Sequence, residues 1–469
     1  MSIAERLYAK SPAWLETAML NAHAGRLQLH RYGRKLRTAL AELVALERAD
    51  PDAIRAYQST RLRAVVRSAA RSSYYNAVFA RAGVRPEDVT SVDDLRRLPL
   101  LLKNTVRASG AELVTEPRPR RGWVHGHTSG TTGSPLSLWY DRRTCVYTTA
   151  VDWQQKLWAG MRPGDWIGMV LGRVIVPVDR SAAPFWRANH VQRQVWFSSF
   201  HLTDENIPQY LAEIRRRRLR FLEGYPSTLF ILARYLTRAG ETLPLQASFT
   251  SSETLHPHQR ELIETAFAAP LFDFYGMAER VVFGSECELH NGKHLNEGYG
   301  ITEIVDASGS PVADGEIGYV VGTSLHNEAM PMLRYRTSDM SAIEVETCSC
   351  GRTARRLRNV TTKAEDIIVL PDGRMLSPSI LTHPFKPFDE IVASQIVQEA
   401  LDEVHVRIVA RESFTPEMEN RLGSALRERL GPTVRLTLER VDEIPREPSG
   451  KFRWVVSKVA HPLRVKWEG

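Results

Sequence analysis

The segment that decides the fold is His127–Pro135, which reads His-Thr-Ser-Gly-Thr-Thr-Gly-Ser-Pro. Glycine reaches backbone angles that are closed to other residues, so Gly130 and Gly133 let successive N–H groups turn inward. The hydroxyls of the loop add further donors, and a concavity of this kind binds phosphate oxygens. No Gly-Lys-Ser/Thr follows, so the loop is not of the Walker type. The alternative at this point is a plain surface loop rich in serine, threonine and glycine.

The sequence around this loop predicts an α/β protein. Between residues 120 and 340, short apolar runs such as Ile167–Leu171 and Leu271–Tyr275 are bounded by Gly, Pro, Ser or Asp and alternate with helical stretches. Such alternation indicates strands and helices in one core. We expect a large domain over 1–360, helical to residue 100 and α/β over 101–360. A small α+β domain is predicted over 361–469, where Pro416–Leu430 is an amphipathic helix.

Composition excludes several classes of protein. The 469 residues are 43% hydrophobic and 25% charged, which rules out a disordered, collagen-like or fibrous chain. Lys and Arg number 62 against 54 Asp and Glu, a formal net charge of +8 that suits an anionic substrate or a basic surface. The run Arg215–Arg218 is interpreted as a solvated helix face, and no nucleic-acid partner is expected.

The same composition bears on location. Four cysteines cannot form a disulfide framework, which favours a reducing compartment. No apolar run approaches the ~20 residues that span a bilayer, and Met1–Leu20 lacks the core of a signal peptide. We therefore expect a cytoplasmic protein without a membrane span.

Three further motifs follow the loop along the chain. Phe272–Glu279 contains Tyr-Gly-Met-Ala-Glu, Arg334–Asp339 reads Arg-Tyr-Arg-Thr-Ser-Asp, and Pro445–Arg453 ends in Gly-Lys-Phe-Arg. These motifs and the loop resemble the phosphate loop, Tyr-Gly-x-Thr-Glu, Tyr-x-Thr-Gly-Asp and Pro-x4-Gly-Lys-x-x-Arg of the adenylate-forming superfamily. Because the four motifs keep the family's order over most of the chain, the resemblance is specific.

Within that superfamily the chain resembles phenylacetate-CoA ligases and CapK-like proteins. This narrower resemblance is carried by Phe221–Ser227, by Cys348–Arg352 and by the long helical N-terminus. It implies a large multi-layer N-terminal domain and a small, mobile C-terminal domain.

The resemblance implies that the protein uses ATP and Mg²⁺ to turn a carboxylic acid into an acyl-adenylate and pyrophosphate, and then acylates a thiol, most simply coenzyme A. It assigns Mg²⁺ to Glu279, the ribose hydroxyls to Asp339, adenine stacking to Tyr275, and the reacting carboxylate and α-phosphate to Lys451. The remaining residues assigned to ATP binding are Thr128, Ser129, Gly130, Thr131, Thr132, Gly133, Ser252, Glu253, Gly276 and Lys363.

Departures from the family pattern keep other functions open. Ala278 replaces the usual Thr of the second motif, and the interdomain hinge carries Lys363 and Glu365 where the family has Gly-Arg-x-Asp-Asp, with Glu365 as the pivot. One alternative is an amide- or ester-forming synthetase of polysaccharide or secondary metabolism. The other is a non-catalytic scaffold that binds a nucleotide.

A structural zinc site is a further hypothesis. Cys348 and Cys350, with Cys287 and His294, offer three thiolates and an imidazole, a reasonable tetrahedral set for Zn²⁺. His290 competes with His294 for the fourth position. Three free buried cysteines are the alternative, and the fourth cysteine, Cys145, is interpreted as a core thiol.

The acyl pocket is predicted from the superfamily's arrangement. Trp153, His201 and Tyr225 are the candidates to line it, since aromatic residues suit a flat or apolar acid. The same residues are as well explained as core. The expected partners are a small carboxylic acid and a thiol or amine acceptor, and a homodimer stays open.

Overall fold

The computed structural model describes residue 8 and residues 11–128, 136–358, 360, 368–376, 378–381, 383–385, 387–388, 390–444 and 454–459. Its helices are α1 (Ala13–Arg31), α2 (Arg34–Leu46), α3 (Pro51–Ala69), α4 (Ser73–Ala82), α5 (Lys103–Ala108), α6 (Arg142–Trp158), α7 (Ile207–Arg216), α8 (Pro226–Ala239), α9 (Pro257–Phe267), α10 (Pro378–Leu381) and α11 (Pro416–Leu430).

The strands of the described residues fall into several sheets. They are β1 (Leu101–Leu102), β2 (Val124–His127), β3 (Ser137–Tyr140), β4 (Ile167–Val170), β5 (Trp186–Asn189), β6 (Gln194–Phe197), β7 (Phe221–Gly224), β8 (Ala247–Ser251), β9 (Leu271–Gly276), β10 (Phe283–Ser285), β11 (Lys293–Leu295), β12 (Gly300–Val305), β13 (Gly318–Ser324), β14 (Tyr335–Ser341), β15 (Arg356–Leu357), β16 (Ile368–Val369), β17 (Met375–Leu376), β18 (Ile391–Ala400), β19 (Glu403–Ala410), β20 (Arg435–Arg440) and β21 (Val455–Ser457).

A nine-stranded sheet in the order β15-β11-β10-β9-β8-β7-β4-β6-β5 is the largest sheet of the described residues. Five neighbouring strands of this sheet, in the order β6-β4-β7-β8-β9, pair in parallel. Parallel strands are covered on both faces, which is why β7 is buried along its whole length. One face packs against a core that α7, α8 and α9 share, and the other face receives Leu20 of α1 and Trp153 of α6.

The parallel strands end together at one edge of this sheet. Strand β7 ends at Gly224, β8 at Ser251 and β9 at Gly276. In open α/β sheets, ligands bind outside the carboxyl ends of the strands. We call this the carboxyl edge, and three of the predicted site segments directly continue from it.

A second, four-stranded sheet in the order β1-β14-β13-β12 lies beside the first. Its N-terminal strand β1 pairs in parallel with β14, with Leu101 opposite Tyr335. The buried guanidinium of Arg334 pairs with Glu303 at 3.1 Å and donates to the carbonyl oxygen of Leu98 at 2.9 Å. The N-terminal region is therefore tied to the strand that carries the Asp339 motif.

The C-terminal part is built on the sheet β20-β19-β18-β21, with α11 packed on it through Leu422 and Leu426. A turn at 371–374 joins β16 to β17. Arg374 Nη1 donates to the carbonyl oxygen of Phe200 at 3.0 Å, so this part rests on loops at the carboxyl edge. The mixture of sheets and helices confirms the predicted α/β fold class. No described helix combines the length and the apolar character that crossing a membrane requires.

Candidate active site

The stem of the glycine-rich loop is a hairpin of β2 and β3. His127 lies opposite Ser137, and next to this pair Thr128 N–H donates to the carbonyl oxygen of Leu136 at 3.1 Å. The buried hydroxyl of Thr128 accepts from Leu136 N–H at 2.8 Å, so Thr128 closes the base of the loop. The loop residues Ser129, Gly130, Thr131, Thr132 and Gly133 lie outside the described residues.

Tyr140, at the end of β3, ties this hairpin to the second motif. Its hydroxyl donates to the carbonyl oxygen of Ala278 at 2.6 Å. The guanidinium of Arg280 lies 3.7 Å from the centroid of the Tyr140 ring and also donates to Cys145 Sγ at 3.4 Å. Cys145 is buried, as predicted for a core thiol. These contacts hold the β2–β3 hairpin against the backbone of residues 275–279.

Tyr275 and Asp339 meet across the two sheets. The Tyr275 hydroxyl donates to Asp339 Oδ2 at 2.7 Å. Burial and the adjacent Asp339 raise the pKa of Tyr275 well above its usual value, so the phenol stays protonated and keeps donating. Asp339 N–H donates to the Thr337 hydroxyl at 3.1 Å, which fixes the turn of the strand at this residue. Two motif residues 64 positions apart therefore share one site.

Glu279 is held in the same region by a second tyrosine. The Tyr335 hydroxyl donates to Glu279 Oε1 at 2.8 Å, and burial followed by the charge of Glu279 raises the pKa of Tyr335 well above its usual value. Glu279 remains half-exposed beside Ala278 and Tyr275. An oriented, half-exposed carboxylate of this kind can accept a hard cation or a hydroxyl group.

The other predicted ATP-binding positions frame the carboxyl edge. Gly276 ends β9, and a Cβ atom there would lie 3.2 Å from the Phe283 ring. Ser252 follows β8 with a φ of 71°, a left-handed turn that redirects the chain away from the sheet. Glu253 Oε2 accepts from Ser227 N–H at 3.1 Å, so its carboxylate caps the N-terminus of α8.

The three candidates for the acyl pocket lie on different elements of the fold. Tyr225 follows β7 at the carboxyl edge and packs with Phe200 and residues of the C-terminal part. Trp153 lies on α6, on one face of the sheet. His201 is buried on the other face, where its ring stacks on Phe185 at 4.7 Å and its Nδ1 lies 2.8 Å from Ser198 Oγ. Tyr225 lies at the carboxyl edge beside the segment of Ser252 and Glu253, because β7 pairs with β8.

The remaining predicted residues, Lys363, Glu365 and Lys451, lie outside the described residues. Conversely, three residues that sequence reasoning missed organise the site: Tyr140, Arg280 and Tyr335. Tyr335 belongs to the Arg334–Asp339 motif, in which Asp339 is the predicted functional residue. The hydroxyl of Tyr335 is the feature of the sequence from which its role could be predicted. Nothing in the sequence pairs Tyr140 with a carbonyl 138 residues away.

The predicted metal ligands come together. The ligand atoms of Cys287, His294, Cys348 and Cys350 all lie within 4.8 Å of one another. Cys287 Sγ is 3.8 Å from Cys348 Sγ, and Cys350 Sγ is 3.4 Å from His294 Nε2. A tetrahedral zinc ion with Zn–S bonds of about 2.3 Å spaces its sulfur ligands about 3.8 Å apart. The donor set therefore fits zinc in type and in spacing.

Neighbouring groups orient this Cys/His cluster. His294 Nδ1 faces the carbonyl oxygen of Ala354 at 3.3 Å, which leaves Nε2 toward the thiols. Burial lowers the pKa of His294 to about 4, so the imidazole is neutral and keeps a lone pair. His290 instead lies with Nδ1 3.2 Å from Glu286 Oε2. The sequence left open which histidine would be the fourth metal ligand, and the geometry favours His294 over His290.

Comparison with known proteins adds three relationships. Residues 368–458 match the family model of the CapK C-terminal domain. The phenylacetate-coenzyme A ligase of Thermus thermophilus is 27% identical over 458 residues, which cover 88% of this chain and 98% of that protein. Protein CapK of Staphylococcus aureus is 23% identical over 397 residues, which cover 83% of this chain and 85% of that protein.

Among solved structures, 2-hydroxyisobutyryl-CoA ligase in complex with 2-HIB-AMP and CoA in the thioesterification state is similar with a TM-score of 0.59. The two are 21% identical, and the match covers 88% of this chain and 91% of that chain. At this identity the likeness concerns the fold, and it agrees with the order of the four motifs and with the two sequence relatives. The chain is therefore similar over most of its length to phenylacetate-coenzyme A ligases and to protein CapK, and it shares the fold of an acyl-CoA ligase.

Proposed function

We propose that this protein is an AMP-forming acid–thiol ligase, which activates a carboxylic acid with ATP and passes the acyl group to coenzyme A. The observation that carries the proposal is the meeting of Tyr275 and Asp339, because it brings the adenine and ribose motifs of the superfamily to one site at the carboxyl edge. The relationship to phenylacetate-CoA ligases over most of the chain supports the same activity.

The proposed reaction has two half-reactions. In the first, a carboxylate oxygen of the acid attacks the α-phosphorus of ATP, the bond to pyrophosphate breaks, and acyl-AMP forms. In the second, the sulfur of CoA attacks the acyl carbonyl carbon, the thiol loses its proton, and AMP leaves. Charge develops on the α-phosphate and on the leaving group, so donors and a cation placed beforehand lower the barrier. We assign residues 128–133 to the β- and γ-phosphates and Lys451 to the α-phosphate and the carboxylate.

The described residues supply orientation around the nucleotide. Asp339 would accept the ribose hydroxyls, and the hydrogen bonds from Tyr275 and to Thr337 hold it in place for that task. Glu279, oriented by Tyr335, would hold Mg²⁺, which neutralises phosphate charge when it is bound. Tyr225 would form a wall of the acyl pocket. Trp153 and His201 remain candidates for lining the same pocket.

The replacement of the usual threonine by Ala278 removes one hydroxyl, a change that costs ~1.5–3 kcal/mol when the lost hydrogen bond was to a charged group. The backbone of Ala278 is nevertheless anchored by Tyr140. We therefore expect adenylation to be slowed by the missing hydroxyl, with Glu279 still in place. The transfer step would require the C-terminal part to turn about Glu365, with Lys363 as the hinge cation.

A panel of acids tests the proposal. Pyrophosphate release from MgATP is measured with aryl, fatty and amino acids, with and without CoA. We expect at least one acid to trigger release and CoA to yield its thioester. Asp339→Asn should reduce this rate, whereas Asp314→Asn, a change at an exposed carboxylate outside the site, should not. ATP binding without pyrophosphate release for any acid would contradict the proposed ligase activity and favour a nucleotide-binding scaffold. Acyl transfer to amines but never to CoA would overturn the proposed acceptor.

We also propose a structural zinc ion at the Cys/His cluster. The support is the spacing of the four donors and the orientation of His294. The cluster borders α6 through Arg352, whose guanidinium lies 4.2 Å from the centroid of the Trp158 ring. Arg48 of the segment after α2 reaches the carbonyl oxygen of Cys350 at 3.3 Å. Zinc held here would tie the segment around residue 350 to the N-terminal helices.

Metal analysis of the purified protein tests the zinc site. We expect about one equivalent of zinc per chain, the content of a single tetrahedral site. Cys287→Ser should lose the metal, and Cys145→Ser, which alters a buried cysteine outside the cluster, should retain it. A zinc-free protein purified without chelators, or full zinc content in Cys287→Ser, would show that the cluster holds no such ion.

A further inference from the structure

The edge of the nine-stranded sheet opposite the carboxyl edge carries a row of aromatic and basic side chains. Trp166, Arg193 and Arg220 directly precede β4, β6 and β7, and the register of these parallel strands places the three side by side. The guanidinium groups of Arg193 and Arg217 lie 5.8 and 5.7 Å from the centroid of the Trp166 ring. The row therefore faces away from the nucleotide motifs.

The row continues onto helix α1. The His190 ring lies 5.4 Å from the Trp166 ring. His190, Trp14 and Arg217 together line a cavity of about 270 Å³. Trp14 is 71% exposed, and Val191, next to His190, is 39% exposed. Exposed apolar side chains that lie together within a polar rim mark surfaces that contact a protein or a membrane. We call Trp14, Trp166, His190, Val191, Arg193 and Arg215–Arg220 the basic aromatic surface.

Arginines outnumber carboxylates on this surface. The last turn of α7 contributes Arg215 and Arg216, and the segment that follows it contributes Arg217, Arg218 and Arg220. Two carboxylates balance part of that charge: Glu213 pairs with Arg216 at 2.7 Å and also with Arg217, and Glu241 pairs with Arg215 at 2.6 Å. Arg193, Arg218 and Arg220 are exposed. The surface is net positive, and its partner is expected to be anionic.

The geometry disfavours three kinds of partner for this surface: an added β-strand, a second copy of the chain and a nucleic acid. The neighbouring edge strand β5 cannot pair with a further strand at its C-terminal end, because Asn21 donates to the carbonyl oxygen of Ala188 at 2.8 Å and accepts from His190 N–H at 2.7 Å. A second copy meeting this surface with its own would set arginine against arginine. Stacking of nucleic-acid bases on Trp166 would compete with the guanidinium groups already over its ring.

We propose that the basic aromatic surface docks on a bilayer that contains anionic lipids. Trp14 and Val191 would enter the interfacial region, where tryptophan is favoured, and the arginines would lie among the phosphate groups. The cavity beside Trp14 is small for a drug-sized ligand and of a size for one lipid headgroup. Docking in this way leaves the carboxyl edge open to water, so the surface does not depend on the proposed ligase activity.

Vesicle flotation of the full chain tests this surface. We expect partition onto phosphatidylcholine vesicles containing phosphatidylglycerol, little onto phosphatidylcholine alone, and loss of binding at high salt. Arg193→Glu combined with Arg218→Glu should weaken partition by roughly tenfold or more, because each basic residue near an anionic surface contributes several-fold. Trp14→Ala, a change at an exposed position, should weaken it by several-fold. The control Arg118→Glu with Arg121→Glu changes the same charge at exposed positions elsewhere and should partition as the unmodified chain.

Three outcomes would overturn the inference. The first is no partition onto anionic vesicles at low salt. The second is equal partition of the Arg193→Glu and Arg218→Glu protein and its control, with thermal unfolding of both unchanged. The third is binding to duplex DNA that Trp14→Ala leaves intact, without partition onto vesicles, since the surface would then serve a nucleic acid.

Discussion

The carboxyl edge and the Cys/His cluster both join segments far apart in the sequence, but the joined groups have different needs. At the carboxyl edge, Asp339 and Glu279 are half-exposed, and each is oriented by a tyrosine hydroxyl. In the cluster, three thiols and an imidazole lie within 4.8 Å of one another, and a single cation can serve all four. The comparison teaches that half-exposed, oriented carboxylates suit the exchangeable nucleotide that we propose for the first region, whereas four clustered donors suit the permanently bound ion that we propose for the second.

The largest expected effect concerns the cation of the last motif. Lys451→Ala should lower the rate of pyrophosphate release by about 10²–10³-fold, the usual cost of removing a preplaced transition-state group. The dissociation constant for ATP should change by only a few-fold, because Asp339 and the loop still bind the nucleotide. Single-turnover kinetics and a direct binding titration separate the two quantities. Loss of all ATP binding would contradict the role assigned to Lys451.

A smaller effect is expected for the ribose carboxylate. Asp339→Asn weakens charge-assisted hydrogen bonds, each of which contributes ~1.5–3 kcal/mol, so KM for ATP should rise by about 10–100-fold. KM for the acid should stay within a few-fold, since the acid binds elsewhere in the site. Steady-state kinetics with each substrate varied in turn measures both. A change in KM for the acid alone would show that Asp339 acts at the acid subsite and not at the ribose.

Removal of the proposed zinc ion should lower the thermal stability of the protein and leave its affinity for ATP nearly unchanged. Chelation should lower Tm by a few degrees, since each kcal/mol lost shifts Tm by about 2 °C or less in a domain of more than about 250 residues. ATP affinity should stay within about twofold, because the cluster and the nucleotide motifs share no ligand residue. Calorimetry before and after chelation gives Tm, and zinc added back should restore it. An unchanged Tm would leave the cluster without a stabilising ion.

The smallest effect is expected for Tyr275→Phe, which removes one hydrogen bond to Asp339 and leaves the ring. We expect KM for ATP to rise by a few-fold, as for a typical hydrogen bond of ~1 kcal/mol. The pKa of Tyr275 is raised, so its protonated form is the stable one in the folded protein and the hydrogen bond is lost only as pH rises through that high value. The ratio of variant to unmodified KM should therefore be constant from about pH 7 to 9. A ratio that falls toward one within that range would show that the phenol ionises there.

Local structure was predictable where short-range rules decide it. The helix Pro416–Leu430 was expected at the bounds it has, since Thr415 caps it and Gly431 follows it. The strand expected at Ile167–Leu171 forms over Ile167–Val170. Helix α7 ends at Arg216, since Arg218 takes a φ of 53° before the chain enters β7. Competition between the helix and the next strand decides such a boundary.

The sequence by itself determined the fold class, the order of the four motifs and the set of four metal-ligand candidates, because residue type and spacing along the chain carry that information. Only the tertiary structure decided that Tyr335 holds Glu279, that Tyr140 anchors Ala278, and that His294 rather than His290 faces the thiols. The basic aromatic surface is a property of the same kind, since the register of three parallel strands sets Trp166 between Arg193 and Arg220. The physical reason is common to all of these: side-chain meetings across sheets depend on register and strand order, which no local pattern specifies.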